Sequence, residues 1–398
     1  MEAKKCMSKK NNTDYSHVRV LLLEGFGRQV MPIMKALHDL GCHITTYNQS
    51  KLDLGYASKY PDKKILAFWD RKDEKKSYEA LLKIVRKDKY DIIIPMTDFS
   101  ATLLSKNKEE ISKYVSPAVN DWDVFMQAGD KLNTMIACMD NDIPCPYTLR
   151  NVACIEDVLD SDIKYPFIIK PRIGYGSIGF HCINNEEELK KVFETSMEMH
   201  GDMLVQEYIP QTDIQYKCEV FIDGNGDVKS AVVFDKTRWY PIDGGSTCCS
   251  ASVSRPDIVE SSVKLLKSIG WKGYGDVDLI QDPRDKVAKV MEINPRITAS
   301  VKVCFDSGVD FARQIVEYEM GKEVTEYKDY KLDCRLRYMH TDLLWFIKSP
   351  NRFKSKPSWF SWKNTTDQIW SWKDPLPWFT YTMQGFAKYK TESKKRKR

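Results

Sequence analysis

Two short stretches carry the residues best placed to do chemistry together. Gly275-Asp276-Val277-Asp278-Leu279-Ile280 alternates acids with apolar residues. Val290-Met291-Glu292-Ile293-Asn294-Pro295-Arg296 does the same beyond a turn at Asp282-Pro283-Arg284-Asp285. The pattern predicts two adjacent strands joined by a polar turn. Alternation puts Asp276, Asp278 and Ile280 on one face of the first strand, and Glu292 and Asn294 on one face of the second. Two carboxylates and an amide oxygen meeting across the pair form a hard-oxygen site. Such a site suits Mg²⁺, which keeps waters and takes further ligands from phosphates. Arg296, two residues past Asn294, is a cation for phosphate or carboxylate on the same side. The competing reading is a polar hairpin with one solvated face, and apolar residues between the acids on both strands weigh against it.

The elements that must position this hairpin can be read in order. Val18 to Leu23 is a buried strand, Glu24-Gly-Phe-Gly27 a turn, Val30 to Leu40 a helix ended by Gly41, and His43 to Tyr47 a second strand. This βα opening lacks a dinucleotide fingerprint, because Val30 occupies the third glycine position and Asn48 the place of the closing acid. Tyr90 to Pro95 is a third strand, with Thr97 and Asp98 at its carboxyl end as candidates for substrate contact or for a helix cap. Asp121 to Met139 reads as one helix. Tyr165 to Lys170 is a strand. Gly174, Gly176 and Gly179 then match GxGxxG, but Phe180 to Ile183 is strand-like again, so the glycines form a phosphate-covering flap and not a dinucleotide turn. Met203 to Pro210 and Lys217 to Asp223 are strands. Val228 to Phe234 returns from a hairpin turn and ends in the charged run Asp235 to Arg238. Gly244 to Ser250 is a loop of small residues, and Pro256 to Ile269 is an amphipathic helix.

Glu292-Ile293-Asn294-Pro295-Arg296 resembles the metal-binding signature of the ATP-grasp enzymes, such as the carbamoyl phosphate synthetase large subunit and biotin carboxylase. The resemblance covers roughly residues 18 to 325. It implies an α/β and α+β architecture: an open α/β domain at 18–120, an ATP-grasp domain at 121–330 with a flap lobe at about 145–205, and a C-terminal extension at 331–398. It also implies Mg²⁺ (or Mn²⁺) on Asp278, Glu292 and Asn294, and phosphate contacts from Lys131, Lys170, Gly176 and Ser177. The adenine and ribose side would be Gln206, Glu207, Ile209 and Asp213. Arg296, Lys236 and Arg238 would face the triphosphate or the acceptor. The implied activity is ATP-dependent joining of a carboxylate to an amine through an acyl phosphate. One reading takes the acceptor as a surface-polysaccharide or cell-wall precursor, and another takes the product as a free dipeptide or related amide. A catalytically weak nucleotide-binding scaffold at the membrane surface is the third reading. The resemblance also implies a homodimer.

Composition bounds the rest. A chain of 398 residues suggests two or three domains with ample core. The segment 1–17 is Lys- and Asn-rich at its start, without the apolar run of a secretory signal, and is expected to be disordered. Eleven cysteines without a CxxC pair argue against structural zinc and a disulfide framework, and fit a reducing cytoplasm. The net charge of +5 hides an asymmetry. Residues 331–398 hold 16 Lys/Arg against 5 Asp/Glu, so the preceding body is acidic. Six of the ten tryptophans lie in that segment. Aromatic and basic residues together suit a membrane interface, with nucleic acid a minor alternative. The remaining reading is a segment that wraps the body and buries its aromatics.

Overall fold

A computed structural model describes residues 14–174, 178–211, 214–242 and 245–395, with side chains through residue 385. The first unit is a parallel sheet of β1 (Arg19–Leu22), β2 (His43–Asn48), β3 (Lys63–Leu66), β4 (Ile92–Ile94) and β5 (Ser116–Pro117), in the order β3-β2-β1-β4-β5. Helices cover both faces, so the central strands read as unbroken apolar runs: Leu21, Leu22, Ile92 and Ile93 are all fully buried. The turn after β1 needs glycine. A Cβ on Gly25 would lie 2.0 Å from the Asn48 side-chain oxygen. Asn48 itself is spent on the fold, its amide donating to the Thr46 carbonyl at 3.0 Å.

The second unit is a small antiparallel sheet of β6 (Phe167–Pro171), β7 (His181–Ile183) and β8 (Met203–Glu207), in the order β7-β6-β8. Helix Glu186–His200 packs Leu189 and Phe193 against Phe167, Ile169 and Val205. Its start is set by Asn185, whose side chain accepts from the Glu188 N–H, and its end by Gly201 at φ +76°.

One helix was expected from Asp121 to Met139, and two are found, Trp122–Gly129 and Lys131–Asp140. Asp130 breaks them. Its backbone is extended, its carboxylate accepts from the Leu132 N–H at 2.9 Å as an N-cap, and it also takes Arg172 at 2.6 Å. The break puts Lys131 at the start of a helix, directly beside the glycine loop.

The third unit is a seven-stranded sheet of β9 (Gln215–Ile222), β10 (Val228–Tyr240), β11 (Ser246–Ser252), β12 (Gly273–Gln281), β13 (Ala288–Asn294), β14 (Arg335–Arg337) and β15 (Thr365–Asp367). The order is β13-β12-β9-β10-β11-β14-β15. The small residues expected to form a loop after Gly244 are instead strand β11, which pairs with β10 on one side and β14 on the other. The C-terminal segment thus continues the sheet. It also reaches the first unit, where Ser58 and the Lys59 N–H both donate to Asp374 and Gln384 donates to Asp53. Val301, Phe311 and Ile315 share one apolar core with Val30, Ile33 and Leu37 of the first helix. Each such side chain contributes about 1.5–3 kcal/mol on burial.

Candidate active site

The hairpin β12–β13 sets Asp278 directly opposite Glu292 and Asp276 opposite Asn294. On the other side of β12, Lys217 of β9 lies opposite Asp278 and Glu219 opposite Asp276. Polar side chains of one parity on three adjacent apolar strands therefore converge. Lys217, almost wholly buried, donates to both Asp276 oxygens at 2.7 and 2.9 Å and lies 3.1 Å from Asp278. Lys236 of β10 donates to the other Asp278 oxygen. The Asn294 amide donates to Asp276 at 2.9 Å and Asp278 at 2.8 Å, and Thr298 donates to Asp276 at 2.6 Å. Burial alone would raise the Asp278 carboxyl. Lys217 and Lys236 overcome that and hold it well below the usual carboxylate range. Behind them, burial and the Asp276 charge push Glu219 up to about 8.

These groups open into a cavity of about 1310 Å³. Lys131, Lys170, Lys236, Asp278, Glu292, Asn294 and Arg296 all line it. Lys131 donates to the Gly174 carbonyl at 2.7 Å and lies 3.8 Å from Glu292. Burial draws the Lys170 ammonium down to about 8; Glu292 opposes this and Lys131 adds to it. Arg296 donates to Asp98 at 2.9 Å. The helix that begins there is capped by Thr97, so Asp98 is left to position Arg296. Eight Lys or Arg against three Asp or Glu line the cavity, an excess that suits a polyanionic ligand.

Glu292 is the acid best placed for a divalent cation. Its side chain is 37% exposed toward the cavity and its nearest cation is the distant Lys131. Among the described residues no three His, Cys, Asp or Glu side chains form a metal cluster. The oxygen donors present, Asp278, Glu292 and Asn294, fit an ion that draws its other ligands from phosphate and water.

Two expectations are corrected. Arg238 does not reach the cavity. A β-bulge in β10 between Lys236 and Arg238 reverses the facing, so Lys236 points into the site and Arg238 points away. There its guanidinium is only 2% exposed and holds Asp342 at 2.7 and 3.1 Å. Glu207 gives its N–H to the Tyr147 carbonyl at 2.8 Å, which leaves its carbonyl as the backbone group for adenine, while its carboxylate pairs with Arg284 and Lys289 and is not a side-chain contact there. The Gln206 amide is likewise turned onto Thr148 at 2.9 Å and fully buried, so neither side chain is presented to a nucleotide; the Ile209 side chain is buried as well. Gly176, Ser177 and Asp213 lie outside the described residues. Lys217 and Thr298 were not anticipated. The signal for Lys217 was present as a lone lysine inside the apolar strand Tyr216 to Ile222.

This fold and site define a class. Residues 128–300 match the ATP-grasp domain family. Biotin carboxylase from Campylobacter jejuni, solved as a β,γ-ATP complex, superimposes with a TM-score of 0.69 at 18% identity, covering 80% of this chain and 75% of that one. N5-carboxyaminoimidazole synthetase from Staphylococcus aureus complexed with ADP gives 0.64 at 17% identity, covering 82% of each. Residues 128–300, somewhat under half of the chain, are thus similar to an ATP-grasp domain, and the solved neighbours share its fold. Among curated proteins, D-aspartate ligase from Enterococcus faecium is 25% identical over 268 residues, which cover 60% of this chain and 62% of the relative. D-alanine–D-alanine ligase from Carboxydothermus hydrogenoformans is 27% identical over 191 residues, 43% of this chain and 60% of the relative. The chain thus spans about three fifths of the length of either ligase.

Proposed function

We propose that the protein is an ATP-dependent carboxylate–amine ligase. The observation that carries this reading is the joint presence of the Asp278–Glu292–Asn294 hairpin, three lysines and Arg296 on one cavity. In the mechanism, Lys131 and Lys170 hold the phosphates and Lys236 faces the transferred group. Mg²⁺ (or Mn²⁺) on Asp278, Glu292 and Asn294 supplies the charge neutralisation that phosphoryl transfer requires. The substrate carboxylate oxygen attacks the γ-phosphorus, the bond to the β-phosphate oxygen breaks, and ADP leaves. Arg296, fixed by Asp98, steadies the acyl phosphate. An amine then attacks the carbonyl carbon, phosphate leaves, and the amine's proton goes to solvent or phosphate. The named activities of the two curated ligases support this class. An amino acid joined to a surface-polysaccharide or wall precursor is the product we favour over a free dipeptide.

The decisive assay is ADP release from Mg²⁺-ATP across paired acids and amines. Release that needs one acid and one amine together establishes the ligase. Tight ATP binding with no release under any pair would reject it. Lys170 gives a pH signature. In the free protein its proton is lost as pH rises through about 8, so ATP affinity is expected to fall above that pH, and Lys170→Met should flatten the profile. The stability sign is opposite. The folded pKa lies below the unfolded value of 10.5, so the cost of burying the charged amine is full below about 8 and fades as pH rises toward 10.5.

A second reading concerns the membrane surface. Among the described residues no helix is long and apolar enough to cross a membrane. The C-terminal segment buries Trp345 and Ile369 yet exposes Leu343, Ile347, Phe353 and Trp372, the last at 87%. Lys348, Arg352, Lys354, Lys356 and Lys373 flank them. We infer peripheral contact with an anionic leaflet. The protein should sediment with phosphatidylglycerol vesicles, less so in high salt, and weakly after Phe353→Ser with Trp372→Ser. Equal binding to purely zwitterionic vesicles, or none to either, would overturn this.

A further inference from the structure

The cations of the cavity differ in how they are compensated. Lys217 and Lys236 sit on Asp276 and Asp278, Lys131 faces Glu292, Arg296 holds Asp98, and Lys106 holds Glu74. Arg28 is different. It follows β1 at the carboxyl end of the first sheet, where open α/β folds bind ligands. No described carboxylate lies within ion-pair distance of it. Its guanidinium instead donates to the Gln368 side-chain oxygen at 2.8 Å and lies 4.0 Å over the ring of Tyr338. Both partners are neutral, both belong to the C-terminal segment, and both line the cavity with it.

These partners are themselves fixed. The Tyr338 N–H donates to the Cys248 carbonyl of β11, and its hydroxyl to Tyr381 at 3.2 Å. Gln368, 5% exposed, receives its place from the Arg337 carbonyl and gives its amide to the carbonyl of Ala299, three residues beyond Arg296. Arg28 is therefore held, by one ring and one amide, beside the segment that carries Arg296. The adjoining wall is β11, whose small side chains Ser246, Thr247 and Ser250 leave room for a ligand. An oriented guanidinium with neutral partners keeps most of its N–H donors and its whole charge for an incoming anion.

We propose that Arg28 receives a second anionic group on the acid substrate, beyond the carboxylate that is phosphorylated. The substrate class is then an acid with two anionic groups, and Tyr338 and Gln368 are positioning residues for Arg28. This rests on the ligase reading for the role of the first carboxylate, but acid binding can be tested without turnover.

The test is calorimetric titration of the full chain with Mg²⁺-ADP present, using succinate, D- and L-aspartate and 3-phosphoglycerate against butyrate, D- and L-alanine and glucuronate. At least one acid with two anionic groups is expected to bind tenfold or more tightly than every acid with one. A carboxylate and a phosphate as second group are told apart by which arm binds. Arg28→Gln should erase the preference, and Arg28→Lys should restore part of it. Gln368→Glu keeps Arg28 but gives it a carboxylate, and should erase the preference as well. The Mg²⁺-ADP affinity of each variant, read in the same series, reports folding. Equal binding of the two groups of acids, binding of none, or a preference that survives both Arg28→Gln and Gln368→Glu would overturn the proposal. Acid discrimination without amine-dependent ADP release would reject the ligase reading and leave this one standing.

Discussion

Glu292→Gln is expected to lower acid-dependent ADP release by at least about 100-fold, with the Mg²⁺ concentration for half-maximal rate shifted upward. The argument depends on how unevenly the hairpin's charges are bound. Asp278 is sandwiched by Lys217, Lys236 and the Asn294 amide, so removing its charge leaves the nearly buried Lys236 ammonium without a counter-charge and Lys217 with Asp276 alone. Asp278→Asn should therefore cost stability as well as rate, and a loss of activity there has two explanations. Glu292 is free of this ambiguity. It faces the cavity, and its exposed carboxylate makes only a long pair with Lys131. Glu292→Gln should leave the free energy of unfolding within about 0.5 kcal/mol of the parent protein, as for substitutions away from packed features. Rate and stability measured on the same two variants would separate a metal ligand from a structural charge. Undiminished ADP release by Glu292→Gln would remove the hairpin from the chemistry.

Much of the catalytic side was legible because its signal is local. Period-two alternation in 275–280 and 290–294 marks both strands and their polar face, although the pairing shifts register by one residue after Asp278. The strands that flank the glycine run were legible for the same reason, and their antiparallel pairing excludes a dinucleotide turn. Arg238 was misplaced because alternation assumes a regular strand, and a single bulge between Lys236 and Arg238 reverses the face. Strand β3 escaped notice because Lys63-Lys64-Ile65-Leu66 is a short, largely exposed edge with no apolar pattern. Strand β11 was taken for a loop because Ser, Thr, Cys and Ala carry little strand signal. It is a strand because neighbours on both sides satisfy its backbone. The C-terminal segment was the least legible. Its prolines and tryptophans allowed a segment that wraps the body as well as a membrane-facing one, and could not place it, because the contacts that tie it to the cavity, Arg28 with Tyr338 and Gln368, join residues more than 300 positions apart.

That long-range tie rests on a buried charge cluster, and its removal should have the largest structural effect. Asp342 is fully buried and accepts from Arg238 at 2.7 and 3.1 Å and from Arg337 at 2.7 Å. Two guanidiniums share one carboxylate. The surplus charge is met by the Pro357 and Trp359 carbonyls and by the faces of Trp345, Trp359 and Trp362. Asp342→Asn leaves both cations buried without a counter-charge, and is expected to cost about 3–5 kcal/mol in urea unfolding. Replacing all three together, with Arg238→Met, Arg337→Met and Asp342→Leu, should recover much of that loss, because apolar groups of similar volume need no compensation. A loss under about 1 kcal/mol for Asp342→Asn would show that the strands, and not the charges, hold the segment. The consequence reaches the cavity. Arg337 precedes Tyr338, and its carbonyl accepts from the Gln368 N–H. Loosening the cluster should therefore weaken acid binding before it weakens nucleotide binding, because the acid side of the cavity is walled by this segment and the phosphate side is not.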